Sequence, residues 1–100
     1  MPFALNDANF LKRLRAAAAD SGRVIVLPHA TKRMKQRKVT FTQLVSCLQK
    51  GTIQESAHLT PFGDWKATVG YRVAGDEVRA VVVLERDANG DWCVVITVMN

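Results

Sequence analysis

The 100-residue sequence predicts an α+β domain, with N-terminal helices packed on an antiparallel sheet of about four strands. Two observations carry this expectation. In the first half, apolar residues recur at helical spacing behind residues suited to cap a helix, whereas after Gly51 the apolar period falls to two. In addition, the runs VRAVVVL and CVVITVM are joined by DANGD, whose Asn-Gly pair signals a tight hairpin turn at Asn89-Gly90. The length suits one domain over residues 1–100 with a single core, and 48% hydrophobic residues suit a globular chain.

Each element has a local cause. From Asn6 to about Ala19, Phe10, Leu11, Leu14 and Ala18 form one apolar stripe, with Asn6 or Asp7 as N-cap and Gly22 as a stop. RVIVL is a short β-branched strand ended by Pro28, which opens a helix well because the N–H it lacks would go unused there. A basic helix follows over about His29 to Arg37. Thr40 and Gln43 match a capping box ahead of Phe41, Leu44, Val45 and Leu48, so a third helix begins near residue 41 and ends at Gly51. TIQESAHL is a first strand of the sheet. In DWKATVGYRV, Trp65, Ala67, Val69, Tyr71 and Val73 alternate with polar positions, as in a strand with one buried face. The more continuous runs VRAVVVLE and WCVVITVM are expected at the centre of the sheet, covered on both faces.

Charge is distributed unevenly. Residues 1–50 hold ten Lys/Arg against two Asp/Glu, and residues 51–100 hold four against seven, so the halves carry +8 and −3. Such a split is the electrostatic footprint of a protein that meets a polyanion. The apolar runs are shorter than the roughly 20 residues of a membrane helix. The start MPFALNDANF has no charged segment ahead of an apolar one, so a cytoplasmic chain without membrane contact is expected. Cys47 and Cys93 are far apart in sequence and form no CxxC pair, which predicts reduced core thiols. Two histidines without a local carboxylate cluster make no metal site, and no glycine-rich phosphate loop or nucleophile motif occurs. No cofactor is expected.

The densest basic stretch is HATKRMKQRK. On a helix, His29, Arg33 and Arg37 fall on one line that drifts by about 40° per step, with Ala30 and Met34 on the adjacent apolar line. The apolar line would dock on the sheet, leaving His29, Arg33 and Arg37 along the rim and Lys32, Lys35 and Lys38 towards solvent. A plain alternative is that the arginines pair with acids such as Glu55 or Glu85. Close like charges repel unless an anion meets them, which favours a phosphate-binding role for Lys32, Arg33, Lys35, Arg37 and Lys38 together. His58 is a second proton-transfer candidate, though a lone surface histidine is usually incidental. Trp65, Tyr71 and Trp92 suit stacking on bases or, more often, a core.

HATKRMKQRKVT, followed by GTIQE and a terminal strand VVITVM, resembles a family of small bacterial proteins of unknown function with the motif H-A-x-x-R-M-x-x-R, grouped with the RelE/BrnT-like toxin superfamily. The match runs from about Pro28 to the C-terminus through His29, Ala30, Arg33, Met34 and Arg37, with Gly51 and Thr97 in expected places. Lys38 stands where relatives commonly have glycine. The resemblance implies a RelE-like fold and a toxin-like ribonuclease that cleaves RNA without metal, held in check by an acidic antitoxin-like protein. In that chemistry the 2′-hydroxyl attacks the neighbouring phosphate, which requires proton transfer and cations around the developing charge. His29 would exchange the proton, Arg33 and Arg37 would clamp the phosphate, and Lys66, Arg72 and Thr97 would complete the site. The contrasting expectation is a non-catalytic module that binds nucleic acid or protein through the same helix.

Overall fold

A computed structural model describes residues 5–73, 75–88 and 90–99. The first helix, α1 (Asp7–Ala18), starts where the Asn6 side chain accepts a hydrogen bond from the Asn9 N–H at 2.8 Å. After a short 3-10 turn, strand β1 (Val24–Val26) leads into α2 (Pro28–Arg37), with Pro28 in its first turn. The third helix, α3 (Phe41–Lys50), begins with the expected capping box: Gln43 N–H donates to the Thr40 hydroxyl, and Thr40 N–H donates to the Gln43 side chain. Four strands complete the chain: β2 (Thr52–Leu59), β3 (Trp65–Val73), β4 (Asp76–Asp87) and β5 (Gly90–Met99).

The sheet has five strands in the order β1-β5-β4-β3-β2. The expected antiparallel four, β2 to β5, form a meander, and β1 joins β5 in parallel, which makes the sheet mixed. Asp87 pairs with Gly90 at the β4–β5 turn; Asn89 lies outside the described residues. One core holds Phe10 and Leu14 of α1, Ala30 of α2, Leu44, Cys47 and Leu48 of α3, and one face of the sheet through Ala67, Val69, Ala80, Val82, Cys93, Val95 and Val98. The helices therefore cover one face. The central strands β4 and β5 were expected to be covered on both, and the second face instead leaves Val81, Ile96 and Thr97 half-buried without a helix over them.

The position of α2 follows from the length of β1. Only Val24–Val26 pair with β5, over Cys93–Val95, and β5 runs on to Met99. A ten-residue helix is about 15 Å long, close to the roughly 13 Å of strand left uncovered. By packing on β5 with Ala30 and Met34 turned to the core, α2 continues the line of β1 and shields that edge. Its end is closed by Lys38 at φ 56°, ψ 41°, the left-handed conformation usually given to glycine.

Two irregularities in β2 aim its outer residues. The pairing with β3 slips between Ile53 and Glu55 and again between Glu55 and His58, which brings His58 opposite Lys66. Asp7 at the start of α1 pins this stretch, accepting from the Ala57 N–H at 2.9 Å and from the Ser56 hydroxyl at 3.0 Å.

Candidate nucleic-acid interface

Helix α2 carries four Lys/Arg and no acid, and Lys38, its C-cap, adds a fifth cation. Ala30 is fully buried and Met34 packs on the core, so the residues beside them take the rim: Arg33 is half-buried, and His29, Lys32, Lys35, Arg37 and Lys38 are exposed. Among the described residues, Lys32, Arg33, Lys35 and Lys38 form no ion pair, so the pairing with Glu55 or Glu85 that would have neutralised Arg33 does not occur. Arg37 differs, because it shares a surface depression with Asp76 and Glu77. Lys32 and Lys35 flank another depression floored by Val26 and Pro28.

A second feature lies on the open face of the sheet. The register places Ile25, Val94, Val83, Lys66 and His58 in one row across all five strands, so the row passes from apolar to cationic. Over its cationic half hangs the β2–β3 loop, tied by the Thr60 N–H donating to the Asp64 carbonyl at 2.7 Å and by the Thr60 hydroxyl accepting from the N–H groups of Phe62 and Asp64. The cavity, partly open to solvent, measures about 380 Å³ and is lined by Leu27, Val83 and Val94 as apolar groups and by Lys66, Asp64 and Glu85 as charged ones. Phe62, at the tip of the tied loop, is 91% exposed. Sequence reasoning missed Phe62, Asp64 and Glu85; an aromatic between Pro61 and Gly63 in a turn, where no core claims it, was the available signal.

The structure separates other members of the expected catalytic set. Lys66 and Arg72 share a strand and a face but are six residues apart, about 20 Å. Arg72 sits opposite Glu77 and pairs with it at 3.7 Å, while Arg79 Nε approaches the same carboxylate at 3.3 Å. That carboxylate accounts for Arg72, which reads as a cross-strand pair rather than a free phosphate contact. Thr97, paired with Val81, is half-buried on β5, the strand on which α2 packs. His29, Arg33 and Arg37 thus share α2, Thr97 lies on the strand beside it, and Lys66 joins His58 in the cavity instead.

A further charged cluster surrounds Asp91. Arg13 donates to its two oxygens at 2.7 and 3.1 Å, Arg86 reaches it at 3.4 Å, and Arg23 stacks over Trp92 with 5.2 Å to the ring centroid. The Arg13 hydrogen bonds hold the Asp91 carboxyl below the ordinary carboxylate range, against the opposing effect of burial. This bidentate pair clamps α1 to the start of β5 and is partly buried, so it fastens the fold. Burial pushes both cysteine thiols up to about 12, and neither sits beside a group that would activate it. Among the described residues no three or more His, Cys, Asp or Glu side chains are grouped so as to hold a metal ion, and no helix is long and apolar enough to cross a membrane.

Residues 26–100 match the model of a protein family described as a domain of unknown function (DUF4258), and the chain belongs to that family. The match starts inside β1 and takes in α2 and every later element, leaving α1 outside it. Neither a curated protein nor a solved structure matches the chain.

Proposed function

We propose that this member of the DUF4258 family binds RNA through α2 and cleaves it as a toxin-like, metal-independent endoribonuclease of RelE-like type. The observation that carries the reading is the row of unpaired cations on α2: Lys32, Arg33, Lys35 and Lys38 have no acidic partner among the described residues, and an RNA backbone supplies the charge they lack. Cleavage is the more specific part and is supported by the H-A-x-x-R-M-x-x-R resemblance. In it the ribose 2′-oxygen attacks the adjacent phosphorus, the bond to the 5′-oxygen breaks, and a cyclic phosphate remains. His29 exchanges protons with these oxygens, while Arg33 and Arg37 hold the phosphate. Of the other expected residues, Lys66 and Arg72 do not both serve this centre, because the strand keeps them about 20 Å apart, and Thr97 lies on the sheet face that the helices leave open. With RNA as substrate, this reading assigns the activity to the cytoplasm. An acidic antitoxin-like protein would compete for the same cations.

A second reading is a binding module without cleavage, favoured because the expected catalytic residues are divided between α2, the Lys66 cavity and the Arg72–Glu77 pair. One experiment distinguishes the two. Labelled RNA is incubated with purified protein in excess EDTA, beside His29→Ala and Arg33→Ala. The enzyme reading expects cyclic or 3′-phosphate ends and a rate about 10²- to 10⁴-fold lower in His29→Ala, with RNA affinity nearly unchanged. Arg33→Ala should weaken binding under either reading. Intact RNA with tight binding establishes the module, and absence of both refutes the RNA reading.

A further inference from the structure

We infer that the cavity under the β2–β3 loop is a subsite for one unpaired nucleobase of the RNA whose phosphates run along α2; this rests on the RNA reading above. The volume of about 380 Å³ lies in the range of small-ligand pockets, which begins at about 300 Å³. Val83 and Val94, directly opposed on neighbouring strands, give the cavity a level apolar floor, and Phe62 stands at its rim on a loop whose hydrogen bonds fix its direction. A floor and an aromatic edge of this kind accept a planar ring, and single-stranded RNA is read by splaying bases onto such surfaces.

The polar groups narrow the ligand further. Lys66 lies opposite Val83, so Glu85, two residues along β4, is its diagonal neighbour, and neither is ion-paired among the described residues. A donor and an acceptor side by side match a base edge that carries an N–H next to a ring-nitrogen or carbonyl acceptor. All four bases have such an edge, uracil through its N3–H and neighbouring carbonyl, so the pair selects a base without choosing among them, and the larger face of a purine favours adenine over uracil by stacking. An aliphatic anchor from a protein partner would fill the apolar floor but strip water from Lys66 and Glu85 without replacing it, which is unfavourable.

Continuity with α2 supplies the rest. Leu27 is a wall of the cavity and the residue immediately before the helix, while Pro28, beside it, floors the depression flanked by Lys32 and Lys35. A strand with one base in the cavity therefore has its next phosphates directed over two unpaired lysines.

The test measures binding by fluorescence anisotropy, using 2′-O-methyl oligonucleotides that lack the attacking hydroxyl, so that cleavage cannot intervene. Oligo-A, oligo-U and an abasic oligomer of equal length are compared with the natural protein, Phe62→Ala and Val83→Phe. Phe62 is exposed, so its removal leaves folding intact, and the larger residue at 83 extends into the cavity rather than the core. The expected result is roughly ten-fold weaker binding of oligo-A by each variant, the order of one lost stacking contact, with affinity for the abasic oligomer unchanged and oligo-U bound less tightly than oligo-A. Equal oligo-A affinity in variants and natural protein overturns the subsite, as does an equal loss on the abasic oligomer. Oligo-A bound by the natural protein no more tightly than the abasic oligomer likewise overturns it. A dimer that dissociates on Phe62→Ala shows a protein occupant and overturns the base. Failure of the natural protein to bind any oligomer removes the underlying RNA reading instead.

Discussion

Replacing Lys38 by glycine should stabilise the protein while weakening its hold on RNA. Lys38 is the only described non-glycine residue with positive φ, at 56°. It ends α2 with two backbone hydrogen bonds, its own N–H to the Lys35 carbonyl at 3.4 Å and the Val39 N–H to the Met34 carbonyl at 2.9 Å. Both survive any side-chain change. A β-carbon in this conformation costs about 1–2 kcal/mol, and glycine's extra unfolded-state freedom returns about 0.5–1 kcal/mol of that, so a net gain of about 0.5–1 kcal/mol is expected. For a domain of this size that raises Tm by about 2–8 °C. The comparison that isolates the backbone effect is Lys38→Ala, which loses the same charge and keeps the β-carbon. Urea unfolding followed by circular dichroism at low and high salt measures both. Lys38→Gly should exceed Lys38→Ala by the same margin at either salt, because backbone strain is not screened, and RNA binding by both should show a salt dependence shallower by about one charge. Equal stability of the two variants would refute the strain argument.

Gly51→Ala should destabilise by about 1–3 kcal/mol in the same unfolding assay, because a β-carbon there would collide with the backbone carbonyl oxygens of Cys47 and Gly70, neither of which is free to move. Cys47 and Cys93, with thiols pushed up to about 12, should resist a thiol-titrating reagent at pH 8 in the native state and react fully in denaturant; rapid native labelling would contradict their burial. Asp91 has a depressed folded-state pKa, so its contribution is complete above the unfolded carboxylate value near 3.8 and is lost as pH falls through the lower folded value. Asp91→Asn should therefore lower stability at pH 7 and narrow its difference from the natural protein on acidification below pH 4, as read by urea midpoints across pH.

The features legible in the sequence are those whose causes are local. Asn6 and the Thr40/Gln43 pair mark helix starts because a side chain three residues from an unpaired N–H reaches it whatever the rest of the chain does. The alternation of Trp65, Ala67, Val69 and Tyr71 assigns a buried face because successive strand residues point oppositely. For the same reason Ala30 and Met34 could be set against the core and Lys32, Lys35 and Lys38 towards solvent before any neighbour of α2 was known. The Arg72–Glu77 pair was within reach too, since both residues lie equally far from one tight turn.

Contacts between distant segments were not legible. That β1 pairs in parallel with β5, and that α2 then continues its line, depends on which strand edge was left open after the meander formed. The Arg13–Asp91 pair joins residues 78 positions apart, and no local pattern marks either as the other's partner. His58 and Lys66 face one another only because two register slips in β2, fixed by Asp7 from α1, rotate His58 into that row. The sequence by itself determined the elements, their buried faces and the basic helix, because these follow from spacing and capping within a few residues. Only the tertiary structure decided that Lys66 belongs to a cavity with His58 and Glu85, because strand register sets those neighbours and depends on the whole sheet at once.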